Sequence, residues 1–265
     1  MALVDIRPTV RRRVSRISSY VVFVALVVVL AFMADWPRIR FYFFNAEVAA
    51  SMWPRILRAT WNTLLYTAVS FTIGTALATA LALMKMSKGP FKAFAVAFIE
   101  IFRGMPALLT IFLLVYAVPI AFKGMKYPGG MIWGGVLGLI IVTGAYTAEI
   151  IRAGIMAVPK GQREASRSLG MSPMHTTVSV ILPQAFRIVI PPLTNELVML
   201  LKDTSLLFIA GATVLSKELT QFGREGVTTF GNGTPLIVVA VFYLIITIPL
   251  TYLVSRLEKK MAVKQ

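Results

Sequence analysis

The chain has 265 residues, the length of one large domain or two small ones, yet 57% of them are hydrophobic, only 14% are charged and the mean hydropathy is +0.78. A water-soluble domain averages about half apolar and a quarter charged residues and has nowhere to hide the excess, so lipid is the solvent for part of this chain. Lys and Arg total 27 against 11 Asp and Glu, a net charge of +16. These cations lie in short clusters between apolar runs, with no continuous basic face interleaved with aromatics, which excludes nucleic acid and points to membrane topology. With no cysteine and a lone histidine, His175, there is no disulfide framework, thiol nucleophile, Cys-based metal site or His-pair metal motif.

A membrane-crossing helix needs about 20 mostly apolar residues. The first such run is Ile17–Ala34, preceded by Arg7, Arg11, Arg12, Arg13 and Arg16. Asp35-Trp36-Pro37-Arg38 follows it where a signal peptide would show a small-residue cleavage site, so it reads as a retained anchor with a cytoplasmic amino terminus. Residues 35–56 mix Trp36, Phe41, Tyr42, Phe43, Phe44 and Trp53 with scattered Arg, as an interfacial segment does. The second span is Trp61–Met84, ended by Lys85, Lys88, Gly89 and Pro90. The third lies within Phe91–Phe122, too long for one straight crossing and interrupted at Gly104-Met105-Pro106. The fourth, Ile132–Val158, carries Gly134-x-x-x-Gly138, a pattern for close helix contact. A polar stretch, Pro159–Thr177, precedes a fifth span that begins near Pro183 and is expected to bend at Pro191-Pro192. Asn232-Gly233-Thr234 is a formal glycosylation sequon, followed at once by Pro235. The sixth span, Leu236–Val254, ends in Arg256-Leu257-Glu258-Lys259-Lys260. The expected fold is an all-α membrane protein with six transmembrane helices.

Alternating six spans from a cytoplasmic amino terminus places 18 of the 27 Lys and Arg inside and 9 outside. By the positive-inside rule both termini face the cytoplasm, and the basicity is a topology signal that requires no acidic partner.

The polar stretch has its own punctuation. Gln162 to Leu169 are good helix formers, Gly170 is placed as a carboxy-terminal stop, and Ser172-Pro173 opens a second helix with proline at its first position. A solvated loop is the plain reading of such a segment; a helix–Gly–helix knuckle for docking onto another protein is the other.

Glu164-Ala165-Ser166, Gly170 six residues after Glu164, then Val180 and Leu182-Pro183 resemble the cytoplasmic signature of ATP-binding-cassette (ABC) importer permeases, with Ser166 in place of an Ala and Val180 in place of an Ile. Glu100-Ile101-Phe102-Arg103-Gly104-Met105-Pro106, the run Ala145–Ile155, Val158-Pro159-Lys160-Gly161-Gln162, Ile181–Ala185 and Leu201–Leu206 are similar to the polar amino-acid uptake subfamily, over roughly residues 57–260. The resemblance implies a type I importer permease core of five spans (57–260, coupling loop 159–182), preceded by a basic amino terminus, anchor helix and interfacial segment (1–56). It also implies a coupling helix that docks onto a cytoplasmic ATPase through Gln162, Glu164, Ala165, Ser166, Leu169 and Gly170. Glu164 either pairs with a basic group of that ATPase or bonds within the loop.

No Gly-x-x-x-x-Gly-Lys-Ser/Thr loop is present to cradle nucleotide phosphates, so the chain carries no cofactor of its own, and ATP and Mg fall to the ATPase dimer. The other implied partners are a second permease subunit, identical or not, an extracytoplasmic amino-acid-binding protein and the lipid of a bacterial inner membrane. No catalytic constellation or metal site is expected. Ionisable groups within spans mark function by default. Counting about 1.5 Å per residue puts Glu149 some 13 Å deep, where it either pairs with Arg152 or lines the path, and Glu196 roughly 20 Å deep beside Thr194 and Asn195. Glu100 and Arg103 beside the Gly104 break, and Lys202-Asp203 as a pair near the outer end of the fifth span, complete the pathway candidates. The favoured function is import of a polar amino acid, glutamate or glutamine first; a stand-alone secondary transporter or channel is the alternative.

Overall fold

The computed structural model describes residues 8–262; of the basic positions counted above, Arg7 and Lys264 lie outside them. The secondary structure among the described residues is helical: α1 (Pro8–Met33), α2 (Trp36–Phe43), α3 (Ala46–Ser51), α4 (Arg55–Met86), α5 (Pro90–Gly104), α6 (Ala107–Phe112), α7 (Val118–Ala121), α8 (Ile132–Ala157), α9 (Lys160–Ser168), α10 (Pro173–Thr176), α11 (Leu182–Asp203), α12 (Leu219–Phe230) and α13 (Thr234–Ala262). Two π-helical turns, Leu113–Ala117 and Thr177–Ile181, join α6 to α7 and α10 to α11, and a 3₁₀ turn, Thr204–Ala210, extends α11.

Four stretches are long and apolar enough to cross a membrane as they stand: Arg55–Met86, Ile132–Ala157, Pro173–Ala210 and Thr234–Lys259. Two more arise if each bent pair counts as one span. The expected break at Gly104–Pro106 is present and sharp: Pro90–Gly104 meets Ala107–Ala121 at 108°. The anchor run turns by 77° into Trp36–Ser51. Asp35 makes that turn, its side chain accepting the Arg38 N–H at 3.1 Å as the amino-terminal cap of α2.

The fifth span departs from expectation at its start. It begins at Pro173, not near Pro183, because Ser172 caps a helix there and the π-turn carries it onward into α11. Pro191 and Pro192 lie inside α11, which continues through them as one helix where a bend is expected. Thr194 Oγ1 donates to the Pro191 carbonyl at 2.7 Å, a local side-chain bond of the kind that supports a proline-containing turn.

Helix α8 is the axis of the fold, packed against α4, α5, α6 and α11. One buried cluster joins Tyr66, Ile111, Val136, Leu139, Leu200 and Leu207 from α4, α6, α8, α11 and the 3₁₀ turn. Of the Gly134-x-x-x-Gly138 pattern, Gly138 makes the expected helix contact, since a Cβ there would stand 2.9 Å from Ile111 Cγ1 and 3.0 Å from its Cα, while Gly134 lies against the ring of Tyr127. Only a hydrogen at Gly138 lets α6 lie against α8.

The sequon is a clasp. Asn232 Nδ2 donates to the Phe41 carbonyl at 2.8 Å, the Gly233 N–H donates to the Tyr42 carbonyl at 2.7 Å, and the Asn45 N–H donates to Thr234 Oγ1 at 3.0 Å. The interfacial helices α2 and α3 are thereby tied to the start of α13.

Candidate coupling knuckle and transport path

Helix α9 ends in a hydrogen-bonded reversal built on Gly170. The Gly170 N–H donates to the Arg167 carbonyl at 3.0 Å and the Met171 N–H to the Ser166 carbonyl at 3.1 Å, with Gly170 at φ +81°, the pairing of a Schellman motif. Ser172 then caps α10, its Oγ accepting the His175 N–H at 3.2 Å, and Pro173 occupies the first turn. His175 itself is exposed, as expected of a solvated loop residue.

Gln162, Glu164, Ala165, Leu169 and Gly170 are exposed, Leu169 at 83%. An apolar side chain is thus displayed at the hydrogen-bonded turn. Glu164 makes no hydrogen bond or ion pair among the described residues, which leaves it available outward and disfavours a bond within the loop. Ser166 differs from its neighbours. It is 5% exposed, donates to the Arg163 carbonyl at 2.9 Å and lies 3.3 Å from Thr176 Oγ1, so it braces α9 against α10 from inside.

The charged residues inside the bundle divide into paired and unpaired. Glu149 is paired: Arg152 reaches one carboxylate oxygen from Nε at 3.0 Å and Nη2 at 2.8 Å, and Lys85 of α4 reaches the other at 2.6 Å. The expected pair with Arg152 is present, with Lys85 as an added member. Glu100 is exposed on α5, and Arg103 stands 5.5 Å over the Tyr146 ring while Tyr146 Oη donates to its carbonyl at 3.4 Å.

Glu196 is half-buried, Thr194 likewise, and Asn195 is exposed. Asp203 sits seven residues after Glu196, two turns along α11 and so on the same face. Lys202 and Asp203 form no pair: the ion pairs among the described residues are Asp35–Arg38, Lys85–Glu149, Arg152–Glu149 and Lys217–Glu225. Consecutive residues on a helix point about 100° apart, so adjacency in sequence separates their side chains.

The site that residue reading missed is Glu218, with a fully buried side chain. Its oxygens accept the Thr220 N–H at 2.5 Å and the Gln221 N–H at 2.6 Å, capping α12, and Tyr243 Oη lies 3.3 Å away. Burial pushes its carboxyl up to about 7, against the hydrogen bonds that favour the anion. Helix α4 holds the preceding loop: Asn62 Nδ2 donates to the Leu215 and Lys217 carbonyls at 2.9 and 2.8 Å, Tyr66 Oη to the Ser216 carbonyl at 2.8 Å, and Thr63 Oγ1 accepts the Leu219 N–H at 3.1 Å. Glu is an uncommon amino-terminal cap, so Glu218 offers little in sequence to distinguish it from a solvated charge.

Residues 70–263 match the family described as "Binding-protein-dependent transport system inner membrane component". The chain belongs to this family. The glutamine transport system permease protein GlnP of Escherichia coli (strain K12) is 39% identical over 172 residues, 64% of this chain and 75% of that protein. The probable glutamine ABC transporter permease protein GlnM of Bacillus subtilis (strain 168) is 36% identical over 202 residues, 76% of this chain and 90% of that protein. A solved structure described as "an amino acid ABC transporter with histidines" aligns with a TM-score of 0.73 at 35% identity, over 82% of this chain and 98% of that one. The chain is therefore an inner-membrane permease subunit of an ABC amino-acid importer, with the type I fold.

Proposed function

We propose that this permease imports glutamine or glutamate, driven by a separate cytoplasmic ATPase that docks on the α9–Gly170–α10 knuckle. The observation that carries the coupling is the rigid, exposed reversal at Gly170, with Leu169, Glu164, Ala165 and Gln162 displayed around it. A buried Ser166 holds that display in shape. The glutamine relatives support the substrate. In this reading residues 57–260 are the transport domain, 1–56 the anchor and interfacial segment, and both termini are cytoplasmic. ATP and Mg are bound by the ATPase pair, a second permease subunit completes the path, and an outside binding protein delivers the amino acid.

Nucleotide-driven closure of the ATPases moves the two knuckles, and the helix bundles rock between inward- and outward-facing states. Within the path, Glu196 with Thr194 and Asn195 faces the α-amino end of the zwitterion, with Asp203 two turns on. Glu100 and Arg103 flank the α5–α6 break, and Lys202 supplies a cation near the end of α11 for a carboxylate.

Replacing Gly170 by Leu tests the coupling. A Cβ there meets no atom within 4 Å, so the strain is confined to the φ +81° backbone and the distorted reversal. The variant is expected to insert normally and lose uptake at least about tenfold in the assembled importer. Full uptake would mean that the knuckle does not couple and that a stand-alone transporter is the better reading. Competition of labelled glutamine uptake by unlabelled glutamate, arginine and histidine tests the substrate, with glutamate expected to compete best.

A further inference from the structure

Where α4 and α8 end and α5 begins, beside α9, there is a cavity of about 430 Å³. Lys85, Lys92, Arg152 and Arg163 line it, together with Met86, Ile155 and Met156. The charge balance is one-sided. Both oxygens of Glu149 are taken by Lys85 and Arg152, while the side chains of Lys92 and Arg163 form no ion pair or hydrogen bond among the described residues. Four cations against one carboxylate leave three positive charges around a space large enough for a small organic ligand.

We propose that this cleft binds the headgroup of an anionic phospholipid from the leaflet on the knuckle's side. Its place fits. Met86 ends α4, Ile155 and Met156 lie in the last turn of α8, and Pro90 starts α5 two residues before Lys92, so the cleft sits at the polar margin of the spans. Its lining fits as well. Met156 is exposed at 64% and its Sδ receives Arg152 Nη1 at 2.8 Å, which puts a polarizable apolar surface against a guanidinium. A free inorganic anion would use the cations and gain nothing from Met86, Ile155 and Met156. A phosphodiester with acyl chains uses both: its oxygens meet Arg152, Arg163 and Lys92, and its glycerol and upper chains cover the methionines. Because Arg163 belongs to α9, a bound headgroup would link the knuckle to α4 and α5.

Native mass spectrometry of the complete detergent-purified importer, titrated with phosphatidylglycerol or phosphatidylcholine, tests this. Phosphatidylglycerol is expected to be retained at least about tenfold better than phosphatidylcholine, and the preference is expected to vanish in the K92Q/R163Q double variant. Both residues are exposed and unpartnered, so unchanged melting temperatures in lipid-free detergent would show that the variant is folded. Equal retention of the two lipids overturns the proposal, as does equal retention of phosphatidylglycerol by the variant. Inorganic phosphate stabilising the protein as much as phosphatidylglycerol also overturns it, since the apolar half of the cleft would then be idle. The leaflet rests on the orientation proposed above, but lipid retention does not depend on uptake, so a failed Gly170 test leaves this measurement intact.

Discussion

Single side chains in this permease take opposite roles from nearly identical chemistry. Glu149 and Glu218 are both removed from bulk water, yet two cations clamp the first and only backbone N–H groups and hydroxyls surround the second. Neutralising Glu218 relieves burial, so with a native value near 7 the fold favours its protonated form. The sign follows: stability is fully present below the ordinary carboxyl value near 4.5 and is lost as pH rises through about 7. Melting curves of the wild type between pH 5 and 8 should show that decline, and Glu218→Gln should flatten it; an unchanged slope would assign the titration to another group. Ser166 offers a second test at this scale. Ser166→Ala removes its two hydroxyl contacts without adding volume, and should cost about 1 kcal/mol of stability in a melting assay while leaving the knuckle's outer face intact.

At the scale of elements, the two π-turns share a sequence cause. Each ends one residue before an X-Pro step, Leu113–Ala117 before Val118-Pro119 and Thr177–Ile181 before Leu182-Pro183. Proline lacks the N–H for its i−4 carbonyl and its ring crowds that carbonyl, and widening the preceding turn to i→i−5 bonds removes the clash. Val118 and Leu182 indeed donate to the Leu113 and Thr177 carbonyls. Replacing Pro183 by Ala should let the regular α-helical register return through Thr177–Ile181, shift the knuckle relative to α11 and reduce uptake more than stability, measured by paired transport and melting assays. The α6–α8 contact fails differently. Gly138→Ala would push α6 off α8, at a cost of about 1–3 kcal/mol read as a lower melting temperature. Neither helix boundary is visible as polar punctuation; both are set by what the neighbouring backbone can tolerate.

For the whole molecule, the topology vote has a direct check. The chain has no cysteine, so Gly161→Cys introduces a lone thiol on α9. A membrane-impermeant thiol reagent should label it in inverted vesicles and spare it in intact cells; labelling in intact cells would reverse the orientation. Much of the architecture is legible in the sequence, because hydrophobic length is a local property of it. The knuckle was legible too: Gly170, Ser172 and Pro173 act through their own backbone preferences, and their spacing alone dictates stop, cap and restart.

What sequence could not decide were the meetings between distant segments. Arg152 is near enough in sequence to be expected beside Glu149, but Lys85 is 64 residues away, and only the packing of α4 on α8 adds it to the pair. Lys202 and Asp203 are neighbours in the chain, yet helix geometry holds their side chains apart. Asn232 carries the pattern of a modification site and is instead the clasp that holds Phe41 and its helix to α13. Glu218 is ordinary in its own stretch and becomes the most deeply buried acid among the described residues only when Asn62, Thr63 and Tyr66 draw its loop onto α4. The solvent, the spans and the knuckle follow from residue types and their spacing along the chain. Which charges are paired, buried or left facing a cleft depends on distances across helices, and those exist only once the bundle has closed.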